Sequence, residues 1–178
     1  KEVNKVRNSY YPLIKEGKRT KAQQNIAVSN VYKKSETKLP VFRDLIIKDN
    51  SVLERSVIFL FSEPFGKKLT PLITKHGGKN ATKFHVYYGG DKEVQLDRFR
   101  EKTLDCLVTC KMLNEGVDVP SLNAVILVSS DGGAEGLVTT QRIGRALRYD
   151  ENNPKKMARV IDFVRTNIKE GENEWQRT

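Results

Sequence analysis

Two short segments hold the residues best suited to chemistry. In Gln141-Arg142-Ile143-Gly144-Arg145-Ala146-Leu147-Arg148, a helical turn of about 100° per residue places Gln141, Arg145 and Arg148 within about 60° of one another. Ile143 and Leu147 then fall on a different face, so an amide and two guanidiniums project from one side while the apolar side packs. Planar, permanently charged guanidiniums grip carboxylates or phosphates through paired N–H donors; on spacing alone the same face could be merely solvated. The second segment, residues 107–120 (LVTCKMLNEGVDVP), runs from an apolar stretch into a polar loop. Gly116 permits close approach or unusual dihedrals, Asp118 follows two residues later, and Pro120 ends the element. Such a loop suits a phosphate or ribose contact, although Gly-x-Asp-x-Pro by itself is also an ordinary turn signal.

The elements that must position these segments are legible as runs. Five apolar, β-branched stretches lie at residues 57–61 (VIFLF), 84–88 (FHVYY), 106–109 (CLVT), 124–128 (AVILV) and 159–164 (RVIDFV). Continuous rather than alternating apolar runs predict strands buried on both faces, as in a parallel sheet covered by helices. Helices are expected between them at about 67–75, 92–101 and 137–147. The alternation predicts an α/β fold with a parallel sheet of about five to six strands flanked by helices. Ligands of such sheets bind beyond the C-terminal ends of the strands, which directs attention to the loops after 61, 88, 109 and 128. Upstream, residues 20–34 read as an amphipathic helix. Residues 40–48 read as a second helix, with Ser35 or Thr37 as cap and Pro40 in the first turn.

The chain has 178 residues, 32 Lys and Arg against 22 Asp and Glu, and a formal net charge of +10. Residues 1–38 hold ten basic and three acidic side chains, a surplus of seven, against a surplus of three in the other 140. A basic segment of this kind can displace counterions from phosphates, or simply be a solvated face. With two cysteines and two histidines, neither a disulfide scaffold nor an all-cysteine zinc site is available. The expectation is an intracellular, cytoplasmic setting, with no metal site of the chain's own. No apolar run approaches the roughly 20 residues of a membrane span, so no membrane partner is expected. The chain does not start with Met, which suggests a piece of a longer polypeptide.

Taken together, in this order and 25 residues apart from Gly116 to Gln141, the two segments resemble the C-terminal hallmarks of superfamily 2 helicases and translocases. EGVDVP resembles motif V of that family, and QRIGRALR matches Q-x-x-G-R-x-x-R of motif VI at every specified position. SVIFLFSEP resembles the strand and loop of motif IV, and VYYGG followed by DRFRE resembles the aromatic-Gly then Arg-Phe stretch before motif V. The resemblance covers roughly residues 51–165. Within the superfamily, MLNEGVDVPSL and QRIGRALR are most similar to the type III restriction ATPase subunits and XPB-like DNA repair helicases.

The resemblance implies a RecA-like C-terminal lobe at 51–166, preceded by a basic helical connector or accessory segment at 1–50 and followed by a polar tail or helix at 167–178. It implies that Arg145 and Arg148 are arginine fingers reaching the γ-phosphate of ATP, where cationic donors stabilise the charge of phosphoryl transfer. Gln141, Gly144, Gly116 and Asp118 fall at motif positions that contact nucleotide or couple two lobes. At the motif V position where many members carry a backbone-contacting Thr, this chain has Cys110, preceded by Thr109; these two, with Ser62, Lys111 and the adjoining Glu63, are the candidates for nucleic-acid contact. No Gly-x-x-x-x-Gly-Lys-Ser/Thr loop and no Asp-Glu-x-Asp/His box occurs in the sequence. ATP and Mg²⁺ are therefore expected to be held mainly by a first RecA-like lobe lying N-terminal in the same polypeptide. The expected function is the second motor lobe of a nucleic-acid-dependent ATPase acting on double-stranded DNA, inactive as an ATPase by itself. The alternatives are a non-catalytic nucleic-acid-binding module or an RNA helicase lobe.

Overall fold

The computed structural model describes residues 1–87, 94–110, 122–128, 144 and 157–163. The chain divides into two compact units, Lys1–Glu36 and Thr37–Thr178. The first is a helical hairpin of α1 (Glu2–Lys15) and α2 (Lys21–Lys33). Helix α1 ends in a left-handed glycine, Gly17 at φ +69°, where Lys18 and Arg19 donate their amides back to the Leu13 carbonyl at 2.9 and 3.1 Å. That reversal satisfies carbonyls the helix end would otherwise leave open. Thr20 then starts α2 with a reciprocal cap: its hydroxyl accepts from the Gln23 amide at 3.2 Å, and its own amide donates to the Gln23 side chain at 3.0 Å. The buried Gln24 amide donates to the Arg7 carbonyl at 3.0 Å, tying α2 to α1.

The second unit begins with α3 (Lys38–Lys48), whose N-cap position is Thr37 without a side-chain capping bond. It continues through a 3₁₀ turn (Asn50–Leu53) into β1 (Ser56–Phe59), α4 (Glu63–His76), a second 3₁₀ turn (Gly78–Asn80), β2 (Phe84–Tyr87), α5 (Val94–Arg100), β3 (Cys106–Thr109), β4 (Ala124–Leu127) and β5 (Arg159–Asp162). The five strands form one sheet in the order β2-β3-β1-β4-β5, and every pairing is parallel. All five expected strands are thus present among the described residues, with β3 at its expected limits. The expected helix at 137–147 lies outside the described residues apart from Gly144, whose backbone is helical.

Alternate strand residues serve opposite layers, as a pleated strand requires. Val57, Phe59, Leu107, Val125 and Leu127 pack with Tyr87 and with Leu96 and Phe99 of α5. Ile58, Cys106, Val108 and Ile126 pack with Phe42 and Ile46 of α3 and with Phe65, Leu69 and Ile73 of α4. Helices therefore cover both faces. Phe42 and Ile46 are fully buried in this core, which is why the compact unit opens at Thr37 rather than after residue 50, where the sequence reading divided the chain.

One strand departs from its expectation. The apolar run at 159–164 predicts a strand buried on both faces, but Arg159, Val160 and Asp162 of β5 are exposed. Among the described strands it pairs with β4 alone, as the edge of the sheet, and an edge strand gives up burial on its open side. Its Arg159 donates to Asp49 at 2.6 Å and to the Ser51 hydroxyl at 3.0 Å, fastening the start of β5 to the end of α3. Hydrogen bonds from Ser51, and then from Arg159, hold the Asp49 carboxyl below the usual carboxylate range.

Candidate nucleotide and nucleic-acid interface

Because every strand is parallel and Phe59, Thr109 and Leu127 stand in register, the C-terminal ends of β1, β3 and β4 lie side by side at one edge of the sheet. The β1 loop leads into α4. Ser62 is the N-cap of that helix in extended backbone geometry, with Glu63 and Pro64 in the first turn. Pro suits this position because its missing N–H would be unsatisfied there in any case. The Ser62 hydroxyl makes no capping bond, and its carbonyl accepts from the Gly66 amide at 3.2 Å. Ser62 is half-buried and Glu63 exposed.

On the neighbouring strand, Thr109 and Cys110 occupy different surroundings although adjacent in sequence. The Thr109 carbonyl accepts from the Leu60 amide at 2.9 Å, extending the β1–β3 ladder by one rung. Its side chain is fully buried, and its hydroxyl has no hydrogen-bond partner among the described residues. An unsatisfied buried hydroxyl costs about 1 to 3 kcal/mol. Cys110, one residue further, is half-exposed. Burial pushes its thiol up to about 11, and the nearby Glu63 carboxylate adds to the shift by opposing a second negative charge. Glu63 and Cys110 are therefore neighbours across the β1 and β3 loops. The fold brings Ser62, Glu63 and Cys110 to one solvent-facing edge and keeps the Thr109 hydroxyl beneath it. Any contact by Thr109 from this conformation is by its backbone or after movement of the strand end.

Of the other sequence-identified residues, Gly144 is helical and exposed. Lys111, Gly116, Asp118, Gln141, Arg145 and Arg148 lie outside the described residues. Among the described residues no three His, Cys, Asp or Glu side chains converge as a metal site would require, and no helix is long and apolar enough to cross a membrane.

At the opposite edge of the sheet stands a residue that the sequence reading did not single out. Arg55, immediately before β1, is buried at φ +50°. Its guanidinium donates to the carbonyls of Phe99 and of Leu104, the latter at 3.3 Å, and lies 4.2 Å from the Phe99 ring centroid. Its carbonyl accepts from the Asn123 amide at 2.8 Å. Arg55 thereby joins the starts of β1 and β4 to the end of α5. The only trace of this in the sequence is a charged residue directly before an apolar run, which is common at strand starts and carries little information.

Comparison with known proteins agrees with this architecture. The chain is 27% identical over 122 residues to UvrABC system protein B of Thermus thermophilus, covering 61% of this chain and 18% of that protein. It is 24% identical over 143 residues to the ATP-dependent RNA helicase eIF4A of Encephalitozoon cuniculi, covering 75% of this chain and 33% of that protein. The chain thus spans a third or less of these relatives' lengths. In fold it is similar to the C-terminal domain of the DEAD-box protein Dbp5, with a TM-score of 0.58 at 22% identity over 76% of this chain and 73% of that one. Residues 37–150, which include the whole described sheet except β5, match the family model "Helicase conserved C-terminal domain". The chain belongs to the helicase conserved C-terminal domain family.

Proposed function

We propose that this chain is the second RecA-like lobe of an ATP-driven motor, a helicase or translocase acting on double-stranded DNA within the cytoplasm. The observation that carries the reading is the family match over residues 37–150, which contains QRIGRALR intact at 141–148. Arg145 and Arg148 reach the γ-phosphate of ATP and stabilise the charge of the transferring group. Gln141, Gly144, Gly116 and Asp118 contact nucleotide or transmit lobe closure. Ser62, Cys110 and Lys111, with the Thr109 backbone, lie along the nucleic acid. ATP and Mg²⁺ are held mainly by a first lobe of the same polypeptide, because a phosphate-cradling loop and an acidic Mg²⁺ box are elements this sequence does not contain.

The choice of DNA is supported by the MLNEGVDVPSL and QRIGRALR wording, which resembles that of the restriction-type and XPB-like ATPases. Similarity to the RNA helicase eIF4A supports RNA as the second reading. The test uses the full-length protein. Arg145→Ala and Arg148→Ala are each expected to lower nucleic-acid-stimulated ATP turnover by about 10³-fold or more, with nucleic-acid binding retained. Normal turnover in both variants removes the finger assignment. Stimulation of the unaltered protein by RNA and not by duplex DNA removes the choice of DNA.

A further inference from the structure

The exposed side of α1 has a composition that neither the fold nor the motor reading uses. Winding at about 100° per residue places Lys1, Lys5, Asn8, Tyr11, Pro12 and Lys15 within about 120° of one another, and all six are exposed. The opposite side carries Val3, Val6, Tyr10, Leu13 and Ile14, each half-buried, so the hairpin packs through one side of α1 and leaves the other free. The stripe holds no carboxylate. Glu2 falls outside it, and Glu16, just beyond the helix, is paired with Lys18 at 2.8 Å. Lys1 and Lys5 make no ion pair among the described residues, and the Lys15 ammonium sits over the Tyr11 ring at 4.9 Å from its centroid. Tyr11 itself is 60% exposed, so a large aromatic ring with a cation over it faces solvent.

We infer that this stripe is a docking surface for the nucleic-acid backbone, distinct from the edge of the sheet. Three ammonium groups over about 20 Å of helix match the length of about six phosphates on one strand, at about 3.4 Å each. An exposed aromatic ring flanked by cations is a platform on which an unpaired base can stack, and the amide of Asn8 is a donor for phosphate or sugar oxygens. Charge attracts any polyanion; the ring and amide interleaved with the lysines favour nucleic acid over an anionic membrane. The inference shares with the motor reading only the class of partner.

The experiment titrates salt against binding of the 178-residue chain to a fluorescein-labelled DNA duplex and to an oligothymidylate single strand. Replacing three phosphate contacts by Lys1→Gln, Lys5→Gln and Lys15→Gln together is expected to reduce the slope of log K against log salt by about 2 to 3. The corresponding triple Lys→Arg variant is expected to keep the slope, which a merely misfolded or destabilised hairpin would not explain. Tyr11→Ala is expected to weaken the single strand about 5-fold or more and the duplex less, in line with one lost stacking contact. An unchanged slope in the glutamine variant overturns the inference, as does undetectable binding by the unaltered chain at about 50 mM salt. Binding to phosphatidylserine vesicles in preference to both oligonucleotides overturns it too. Since Arg145 and Arg148 are untouched, failure here leaves the motor reading standing, and normal ATP turnover in the finger variants leaves this one standing.

Discussion

At the scale of the residue, the two cysteines show how position within one strand sets chemistry. Cys106 begins β3 with its side chain fully buried between the sheet and the α3–α4 layer, and burial pushes its thiol up to about 12, with Asp105 adding to the shift and the Ser56 hydrogen bond opposing it. Cys110, at about 11, is raised for the same first reason. Both are therefore protonated packing groups at neutral pH rather than nucleophiles, since only the thiolate reacts. The sign of the pH dependence follows. A group whose folded value lies above its ordinary 9.0 contributes stability that is whole below pH 9 and is lost as pH rises towards the folded value. The urea midpoint is thus expected to fall between about pH 9 and pH 11, and Cys106→Ala is expected to flatten that fall while lowering the midpoint at pH 7. In native buffer at pH 8, a thiol-disulfide reagent should label Cys106 only on unfolding and Cys110 slowly. Rapid labelling of both would contradict the burial that sets these values.

At the scale of the element, the strands were legible because each is a run of apolar residues too short for a helix, and a parallel sheet covered on both faces needs such runs. What escaped detection did so for identifiable reasons. Helix α1 has apolar residues at 3, 6, 10, 13 and 14, a helical spacing, but Pro12 lies inside it and interior proline normally marks a helix end. Helix α4 starts at Glu63, ahead of the expected 67, because Pro64 occupies the first turn, where proline is tolerated. The outward position of β5 and the inward position of the Thr109 hydroxyl depend on sheet order and strand ends, which local periodicity does not encode. Ser62, Glu63 and Cys110 converge only because the parallel register aligns the ends of β1 and β3. Arg55 belongs to the same class, being a clamp between elements that its own neighbourhood in sequence does not announce. Arg55→Leu leaves the Phe99 and Leu104 carbonyls without this donor and is expected to lower stability by about 2 to 3 kcal/mol, read from the urea midpoint. Arg55→Lys keeps a Cβ and an unbranched stem, hence the same positive-φ strain, but lacks the fork, so it is expected to recover less than half of the loss. Full recovery by lysine would show that charge alone, not the two-carbonyl grip, holds α5 to the strand starts.

At the scale of the whole molecule, the two units are stabilised by unlike means, and their dynamics should differ accordingly. In the sheet unit, β1, β3 and β4 are buried along their full lengths, and Ile58, Leu107, Val108 and Ile126 have no exposed surface. Opening any of these strands exposes both helical layers, so their amides can exchange only through unfolding of the unit. In the hairpin, α1 has no fully buried residue, and the two buried in α2, Gln24 and Lys33, are polar. Helices of 14 and 13 residues with so little apolar burial lie near the length at which isolated helices are marginal, and their stability rests on the Thr20 cap, the Gly17 reversal and half-buried side chains. Native-state hydrogen exchange is therefore expected to show amides of residues 2–15 and 21–33 opening locally, at least about 100-fold faster than those of 57–59, 107–109 and 125–127, a gap of about 3 kcal/mol or more in opening free energy. Deletion of residues 1–36 should leave exchange in the three central strands unchanged within about 3-fold, because their burial is complete within the second unit. Protection of the hairpin equal to that of the strands, or loss of strand protection on deletion, would mean that the chain folds as one cooperative body. A hairpin that opens locally while the sheet stays closed is also what a basic arm needs in order to settle on a partner surface, since ordering it on contact uses helices already formed part of the time.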